Sequence, residues 1–242
     1  MIREKTAILI HGCHVDAEGW ERIIWGDPEK GLLGRIPTGI ALALSEEADL
    51  IFWGTGASER NGKKESQIIF QYALRHLEEL PALFERAGRV TYRKYPTPFE
   101  LEKLLPKISY IDLVTQNTAQ EVEAAAAECR ARGITRLILV SSPTHIGRCR
   151  QDADKLRAEG KLRDLWVFDF SSDTCFEGTT PGDVVIIEPP HRGDMPKWQT
   201  YRYARAMFGI MKRGEVVYEE FLRAFGQLLI TFGVTVDWRP RL

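Results

Sequence analysis

The sequence predicts an α/β fold with a mainly parallel sheet. Short apolar segments typical of buried strands alternate with longer segments of helical character. One junction is especially clear, because the apolar residues 137–140 run directly into Ser142, Pro143 and His145. Four apolar residues between polar ones indicate a buried parallel strand, and serine followed by proline is typical of a helix start.

The predicted strands and helices follow one another along the chain. The strands have apolar, β-favouring composition and span 6–10, 49–53, 89–92, 110–114, 136–140, 165–168 and 184–187, of which 89–92 has the weakest signal. The helices between them span 35–45, 66–86, 98–105, 118–132 and 146–159. Helix 118–132 has the clearest signals, since Thr118 and Glu121 have capping-box spacing and Gly133 ends it. We interpret 16–34 as a long polar loop.

After Pro189 and Pro190 the pattern changes. Residues 197–211 and 215–232 have the pattern of two amphipathic helices. No linker or repeat divides the chain, so we expect one domain over 1–242, with a core at 1–190 and a helical extension at 191–242. The extension could cover the sheet or form a homodimer surface, and the sequence leaves both open.

Composition argues against several classes of partner. The chain has 242 residues, 44% of them hydrophobic, and a formal net charge of −1. That charge provides no attraction for nucleic acid or for an anionic membrane. No apolar run approaches the ~18 residues of a membrane span, and the N-terminus lacks a secretory apolar region. The sequence therefore predicts a cytoplasmic protein whose partner is a small molecule.

The cysteines indicate reduced thiols. Cys13, Cys129, Cys149 and Cys175 are widely spaced and form no Cys-x-x-Cys pair, so a disulfide scaffold is not expected. Cys13 follows a glycine turn and is a candidate for a thiol of low pKa that could act as a nucleophile.

Candidate site residues lie directly after the predicted strands, where open parallel sheets bind their ligands. His145, on the first turn of a helix, is expected to be a neutral imidazole able to act as acid or base. Arg148 could bind an anion or pair with Asp152. Gly54 and Gly56 could approach a phosphate or simply permit a turn, although the full Gly-x-Gly-x-x-Gly fingerprint is absent.

Two further strand-end groups have competing interpretations. Asn117 and Thr118 could be helix-capping residues or ligands, and Glu121 is best explained by the capping box. His11 and His14, with Asp16 nearby, could bind zinc, but a zinc site needs further ligands from elsewhere in the fold.

Several segments together carry a family resemblance. They are AILIHGC at 7–13, Arg35 in GRIPTGIALAL, WGTG at 53–56, Glu65, Asn117-Thr118 and SSPTHIGR at 141–148. Over about residues 6–156 they resemble the SanA/ElyC/YdcF-like family of unknown-function domains, a widespread bacterial family. The last segment is the most specific, since the usual family form is Thr/Ser-Ser, two residues, His, two residues and Arg. The chain departs from the family at Gln120 and Glu121, where Glu and Asn are common.

The resemblance implies a Rossmann-like three-layer sandwich with a pocket at the strand ends. The pocket residues it implies are Gly12, Arg35, Gly54, Gly56, Glu65, Asn117, Ser142, His145 and Arg148. The family has been associated with nucleotide-like ligands, including S-adenosylmethionine, and with phosphate-bearing envelope intermediates, and it has no single settled reaction. Many relatives carry N-terminal membrane spans that this sequence lacks.

These observations predict a hydrolase or transferase that acts on a phosphorylated or nucleotide-like small molecule, with S-adenosylmethionine or a nucleotide as the candidate cofactor. His145 is the predicted acid or base, oriented by Glu65 or Asn117. The predicted ligand-binding residues are Gly12, Arg35, Gly54, Thr55, Gly56, Thr118, Ser141, Ser142 and Arg148. Two alternatives stay open: a non-catalytic binding or sensor module, and a metal-dependent hydrolase that uses His11 and His14.

Overall fold

A computed structural model describes residues 3–88 and 96–175, all within the compact unit Met1–Ile186. The described residues contain a sheet of five parallel strands: β1 (Thr6–Ile10), β2 (Leu50–Trp53), β3 (Ser109–Ile111), β4 (Arg136–Ser141) and β5 (Trp166–Ser171). Its helices are α1 (Trp20–Ile24), α2 (Arg35–Ser45), α3 (Glu65–Arg75), α4 (Leu80–Arg86), α5 (Pro98–Ile108), α6 (Thr118–Arg132) and α7 (Pro143–Ala158). Two short hairpins join Gly26–Asp27 to Leu32–Leu33 and Glu59–Arg60 to Lys63–Lys64.

The strand order is β3-β2-β1-β4-β5, which confirms the predicted α/β fold and makes it Rossmann-like. The chain builds outward from β1 to β2 and β3, and α6 then carries it back to β4 on the other side of β1. In the register, Ala7 of β1 aligns with Leu50 of β2 and with Leu137 of β4. The order therefore reverses between β1 and β4.

Two apolar cores lie on the two faces of the sheet. Successive side chains of a strand point to opposite faces, so Ile8 and Ile10 of β1 join one core and Ala7 and Leu9 join the other. Helices α1 to α5 contribute to the first core, and α6 and α7 contribute to the second. Because β1 is buried on both faces, its sequence is apolar from Ala7 to Ile10 rather than alternating.

Several predicted elements differ in extent from the structure: helix 98–105 is Pro98–Ile108, helix 146–159 is Pro143–Ala158 and strand 165–168 is Trp166–Ser171. Two more differ for a local reason. The predicted helix 66–86 is α3 and α4 joined by a 3₁₀ turn at Leu77–Glu79, because Pro81 cannot donate the N–H that a continuous helix would use. The predicted strand 110–114 ends at Ile111, because the Asp112 carboxylate accepts hydrogen bonds from the N–H groups of Val114 and Thr115 at 3.0 and 3.3 Å.

The segment 16–34, predicted as a long loop, contains α1 and a short hairpin. Trp20 and Trp25 are buried there against Tyr72 of α3, so this segment packs into the first core. The predicted strands 89–92 and 184–187, and the extension 191–242 with its possible dimer surface, lie outside the described residues.

Within 3–88 and 96–175, no helix combines the length and the apolar character needed to cross a membrane.

We expect Leu139→Ala to lower the free energy of unfolding by about 2–5 kcal/mol, since it leaves a cavity at a fully buried position of the second core. Urea denaturation would measure the change. Leu113→Ala is the control, because this side chain is 45% exposed and should change stability by no more than about 0.5 kcal/mol. Equal decreases in the free energy of unfolding for the two variants would contradict the described core.

Candidate functional site

The predicted site residues meet at the carboxyl ends of β1 and β4. The helices that follow these strands pack on opposite faces of the sheet, since α2 contributes to the first core and α7 to the second. In open α/β sheets, helices on opposite faces leave a crevice between two such strand ends, and ligands bind there. His11 follows β1 there, while Ser141 ends β4 and Ser142 precedes α7.

Arg35 joins the two sides of this crevice. Its side chain is almost fully buried at the first residue of α2. Nη1 donates hydrogen bonds to the carbonyl oxygens of His11, at 3.2 Å, and Gly12, and Nη2 donates to Ser142 Oγ at 2.8 Å. The predicted anion-binding arginine is thus also a structural clamp, and its Nε is a buried atom with no hydrogen-bond partner.

His11 forms a buried ion pair with Glu121 of α6. The His11 side chain is 1% exposed, and its Nδ1 lies within hydrogen-bonding distance of Glu121 Oε2. The other ring nitrogen, Nε2, is buried and has no hydrogen-bond partner. The sequence interpretation of Glu121 as a capping-box residue was therefore wrong, because its carboxylate points to His11 instead of to the helix start.

The pair favours a protonated His11. Burial opposes the charged ring, but the Cys149 thiol and the Glu121 carboxylate outweigh burial and raise the pKa of His11 to about 10. At neutral pH the ring is therefore an imidazolium with protons on both nitrogens. Its Nδ1–H donates to the carboxylate, and its Nε2–H is left without an oxygen acceptor.

His145 stands beside His11 with its own hydrogen bonds. The two rings are nearly perpendicular, with centroids 6.0 Å apart. His145 Nδ1 lies 2.8 Å from Ser141 Oγ and 3.4 Å from Cys149 Sγ, and Nε2 lies 3.3 Å from Thr118 Oγ1. These hydroxyls orient the predicted acid–base residue, whereas sequence reasoning assigned that role to Glu65 or Asn117.

Two glycines make room for two buried carboxylates. A side chain at Gly12 would collide with Glu65 Oε1, and a Cβ at Gly54 would lie 2.8 Å from Glu121 Cδ. The turns after β1 and β2 therefore need glycine because a carboxylate packs against each backbone. Ser58 donates a hydrogen bond to Glu65 Oε2 and holds that carboxylate in place.

The loop after β3 is fastened to the turn after β2. Thr55 Oγ1 donates to the Thr115 carbonyl oxygen at 2.7 Å, and the Gly56 N–H donates to the same oxygen at 2.9 Å. Gly56 also packs against the backbone of Leu113, which leaves no space for a side chain. Thr55 and Gly56 therefore fix the turn after β2 to the loop after β3.

Two predicted site residues take the alternative roles that the sequence left open. Asn117 is the N-cap of α6, and its Oδ1 accepts a hydrogen bond from the Gln120 N–H at 2.9 Å. Arg148 lies 3.7 Å from Asp152 in an ion pair one turn along α7. Thr118 is buried and contacts His145 rather than capping the helix.

The thiol and metal hypotheses find little support in this geometry. The cysteines are reduced and buried, and burial raises the pKa of Cys13 to about 12, so the hypothesis of a low-pKa thiol was wrong. His11 Nδ1 lies against Glu121, and His14 Nδ1 accepts from the Asp16 N–H at 3.3 Å. In the described part of the chain, no three His, Cys, Asp or Glu side chains are grouped to hold a metal ion.

Buried polar atoms without hydrogen-bond partners concentrate at this edge of the sheet. They are His11 Nε2, Arg35 Nε, Thr38 Oγ1, Thr144 Oγ1 and Ser172 Oγ. Each belongs to a residue that follows a strand or lies in the first turns of α2 or α7. Buried polar groups are normally paired, so their concentration here indicates a site built for a polar ligand or ordered water.

A cavity of about 480 Å³ lies at the opposite edge, beside the amino ends of β1, β4 and β5. Two of its basic side chains donate to main-chain carbonyl oxygens: Lys5 Nζ donates to Arg132 O at 3.1 Å, and Arg157 Nη2 donates to Leu165 O at 3.2 Å. The Lys5 contact complements the carboxyl end of α6, and the Arg157 contact joins the last turn of α7 to the residue before β5. None of the predicted site residues lines this cavity.

Comparison with protein-family models, with curated proteins and with solved structures found no match. The resemblance to the SanA/ElyC/YdcF-like family therefore stays a prediction.

We expect Gly54→Ala to displace Glu121 from His11 and lower the free energy of unfolding by about 1–3 kcal/mol, because the new methyl group overlaps the carboxylate. Thermal denaturation would measure this loss of stability. Gly147→Ala, on the exposed face of α7, is the matched control and should be neutral or stabilising by up to about 1 kcal/mol. A Gly54 variant as stable as the Gly147 variant would rule out the close packing described.

Stability should also depend on pH through His11. Its pKa is about 10 in the folded protein against an ordinary value of 6.5, so its contribution is complete below pH 6.5 and is lost as the pH rises through about 10. We expect the free energy of unfolding to fall across this range in urea titrations. Glu121→Gln should flatten the decline, and His76→Asn, at a surface histidine paired with Glu79, should not. Identical slopes in wild type and Glu121→Gln would refute the coupling.

Proposed function

We propose that the chain is a cytoplasmic small-molecule enzyme, a hydrolase or transferase, whose substrate carries a phosphate or is nucleotide-like. The observation that carries this proposal is the set of buried polar atoms without partners between β1 and β4, above all His11 Nε2 and Arg35 Nε. Leaving such groups unsatisfied costs free energy, which a bound polar ligand recovers. Both atoms belong to positively charged groups, so an anion fits them best.

The start of α7 adds to the attraction for an anion. The helix has 16 residues and no acidic residue in its first turn, so nothing there offsets the positive end of its dipole. Ser142 precedes the helix but does not cap it through its side chain, because Ser142 Oγ accepts from Arg35. The first N–H groups of α7 are therefore suited to a phosphate.

His145 is the proton-transfer residue in this proposal. It lies on the first turn of α7, half-buried, with its shorter hydrogen bond to Ser141 at Nδ1 and its longer one to Thr118 at Nε2. The contact with Ser141 fixes the ring, and the 3.3 Å contact with Thr118 is the one that a substrate oxygen would replace.

An exposed apolar loop supports the nucleotide-like part of the proposal. Leu113 and Val114 are 45% and 78% exposed in a loop whose backbone is held by Asp112. The loop lies against Gly56, beside the turn that follows β2. Exposed apolar side chains on a fixed loop suit the ring of a nucleoside, and S-adenosylmethionine or a nucleotide is the cofactor consistent with the family resemblance.

A binding or sensor module is the second candidate. It is favoured by one observation: both ring nitrogens of His145 have hydroxyl neighbours, so this ring is held as a structural hydrogen-bonding group would be. Such a module would bind the same ligands without turning them over.

The direct test is to identify what co-purifies with the protein. Denaturation followed by mass spectrometry is expected to release a phosphate-bearing or nucleoside-containing molecule, and isothermal calorimetry with AMP and S-adenosylmethionine extends the test to ligands lost during purification. Binding without turnover in phosphoester and methyl-transfer assays would favour the sensor module. Absence of all such binding would overturn both candidates.

We expect His145→Ala to reduce turnover by about 10²–10⁴ while leaving ligand affinity nearly unchanged, because general acid–base catalysis has that magnitude. Hydrolysis of para-nitrophenyl phosphate and of its bis ester is the first assay. His76→Ala removes a half-exposed surface histidine and should keep full activity. Full turnover by the His145 variant would remove this residue from the mechanism.

A further inference from the structure

The strongest feature that the proposed reaction leaves unused is the His11–Glu121 pair. Three segments build it: the end of β1 supplies His11, α6 supplies Glu121, and the turn after β2 supplies Gly54, against which the Glu121 carboxylate packs. Both side chains are buried. A buried ion pair is a poor source of stability compared with well-packed apolar side chains, so its presence at a strand-end crevice calls for a functional explanation.

The ring is oriented in the way that catalytic and ligand-binding histidines are. A carboxylate holds Nδ1, and Nε2 is turned away from it without a hydrogen-bond partner. The Cys149 sulfur is close to both imidazoles and raises the pKa of His11, but it is not in hydrogen-bonding geometry with Nε2. Nε2–H is thus a charged donor that still requires an acceptor.

Two more buried atoms without partners belong to residues at the same edge of the sheet. Arg35 lies against the main chain of His11, and its Nε is buried and unsatisfied. Thr144 Oγ1, in the first turn of α7 directly before His145, is also buried and unsatisfied. One imidazolium N–H, one guanidinium N–H and one hydroxyl, each without an acceptor, complement an oxyanion with several oxygens.

We propose that His11 Nε2–H donates a hydrogen bond to a phosphate oxygen of the substrate, with the ring positioned by Glu121 and the oxyanion also bound by Arg35 Nε and Thr144 Oγ1. This inference rests on the proposed function and deepens it by assigning separate roles to the two histidines. His11 binds and neutralises the oxyanion, and His145 transfers the proton. Glu121 is a positioning residue, because it acts through His11.

The charged groups around Gly12 limit the net charge that the ligand can carry. His11 and Arg35 carry two positive charges, and Glu65 and Glu121 carry two negative ones, so the charges of these four groups balance. A singly charged phosphodiester, or a ligand that carries positive charge as well, disturbs this balance less than a dianion does. The site should therefore bind a phosphodiester at least as well as a phosphomonoester.

The first experiment uses the wild-type protein and nuclear magnetic resonance of its ¹⁵N-labelled histidines. Titration with inorganic phosphate, and then with dimethyl phosphate as the singly charged probe, should shift the His11 Nε2 signal. The signal of His76, which has a carboxylate neighbour of its own outside the crevice, should stay in place. Binding that shifts His145 but leaves His11 unmoved would overturn the assignment of His11 while the proposed function stands. If neither probe binds, the proposed function fails as well.

A double variant keeps the test independent of folding. His11→Gln alone leaves the Glu121 carboxylate buried without its partner, so His11→Gln/Glu121→Gln removes both charges together. We expect this variant to fold, with an unchanged circular dichroism spectrum, and to bind dimethyl phosphate roughly tenfold to hundredfold more weakly, as the loss of a hydrogen bond to a charged group implies. The matched control is His76→Gln/Glu79→Gln, which should bind like wild type. Wild-type affinity in the His11 double variant would overturn the proposal.

Discussion

The buried ion pair between His11 and Glu121 governs the form of the crevice between β1 and β4. An imidazolium and a carboxylate survive burial only when each compensates the other, so the two must stay in contact. That requirement fixes the position of α6 relative to the end of β1. It also excludes a side chain from Gly54, because the Glu121 carboxylate packs against that backbone.

The carboxylates and glycines link neighbouring strand ends in a crossed pattern. Glu65, which begins α3 after β2, packs against Gly12 after β1. Glu121, which lies in α6 after β3, packs against Gly54 after β2. The ends of β1 and β2 therefore each hold a carboxylate from the segment that follows the next strand along the chain. Arg35 completes the arrangement by bridging the turn after β1 to Ser142 at the start of α7.

This arrangement explains why polar atoms remain unsatisfied at one edge of the sheet. The partners of His11 and Arg35 occupy one side of each group, namely the Glu121 carboxylate and the main-chain carbonyl oxygens. The remaining donors, His11 Nε2 and Arg35 Nε, have no protein acceptor. At the opposite edge the basic side chains of Lys5 and Arg157 have carbonyl partners, so the cavity there has the character of helix-end packing.

Local signals were enough to predict much of the fold. The bounds of β1, α2 and α6 follow from an apolar run, from Gly34 before a periodic segment, and from an alanine-rich segment that ends at Gly133. Prediction failed where a side chain changed the backbone path, as at Asp112, whose carboxylate ends β3, and at Pro81, which separates α4 from α3. Both signals are present in the sequence, but their effect depends on hydrogen bonds made in the folded chain.

For the site, the sequence by itself determined which positions follow strands, and with them Ser142 and His145 as candidates, because parallel strands end at one edge. Arg35 became a candidate through the family resemblance. It could not assign Glu121, since the spacing from Thr118 equally fits a capping box. Only the tertiary structure decided that Asn117 caps α6 and that Glu121 turns to His11, 110 residues away in the chain. The physical reason is that the Glu121 carboxylate could contact either a main-chain N–H at the start of its own helix or the distant His11 ring. Burial beside an imidazolium favours the contact with the ring.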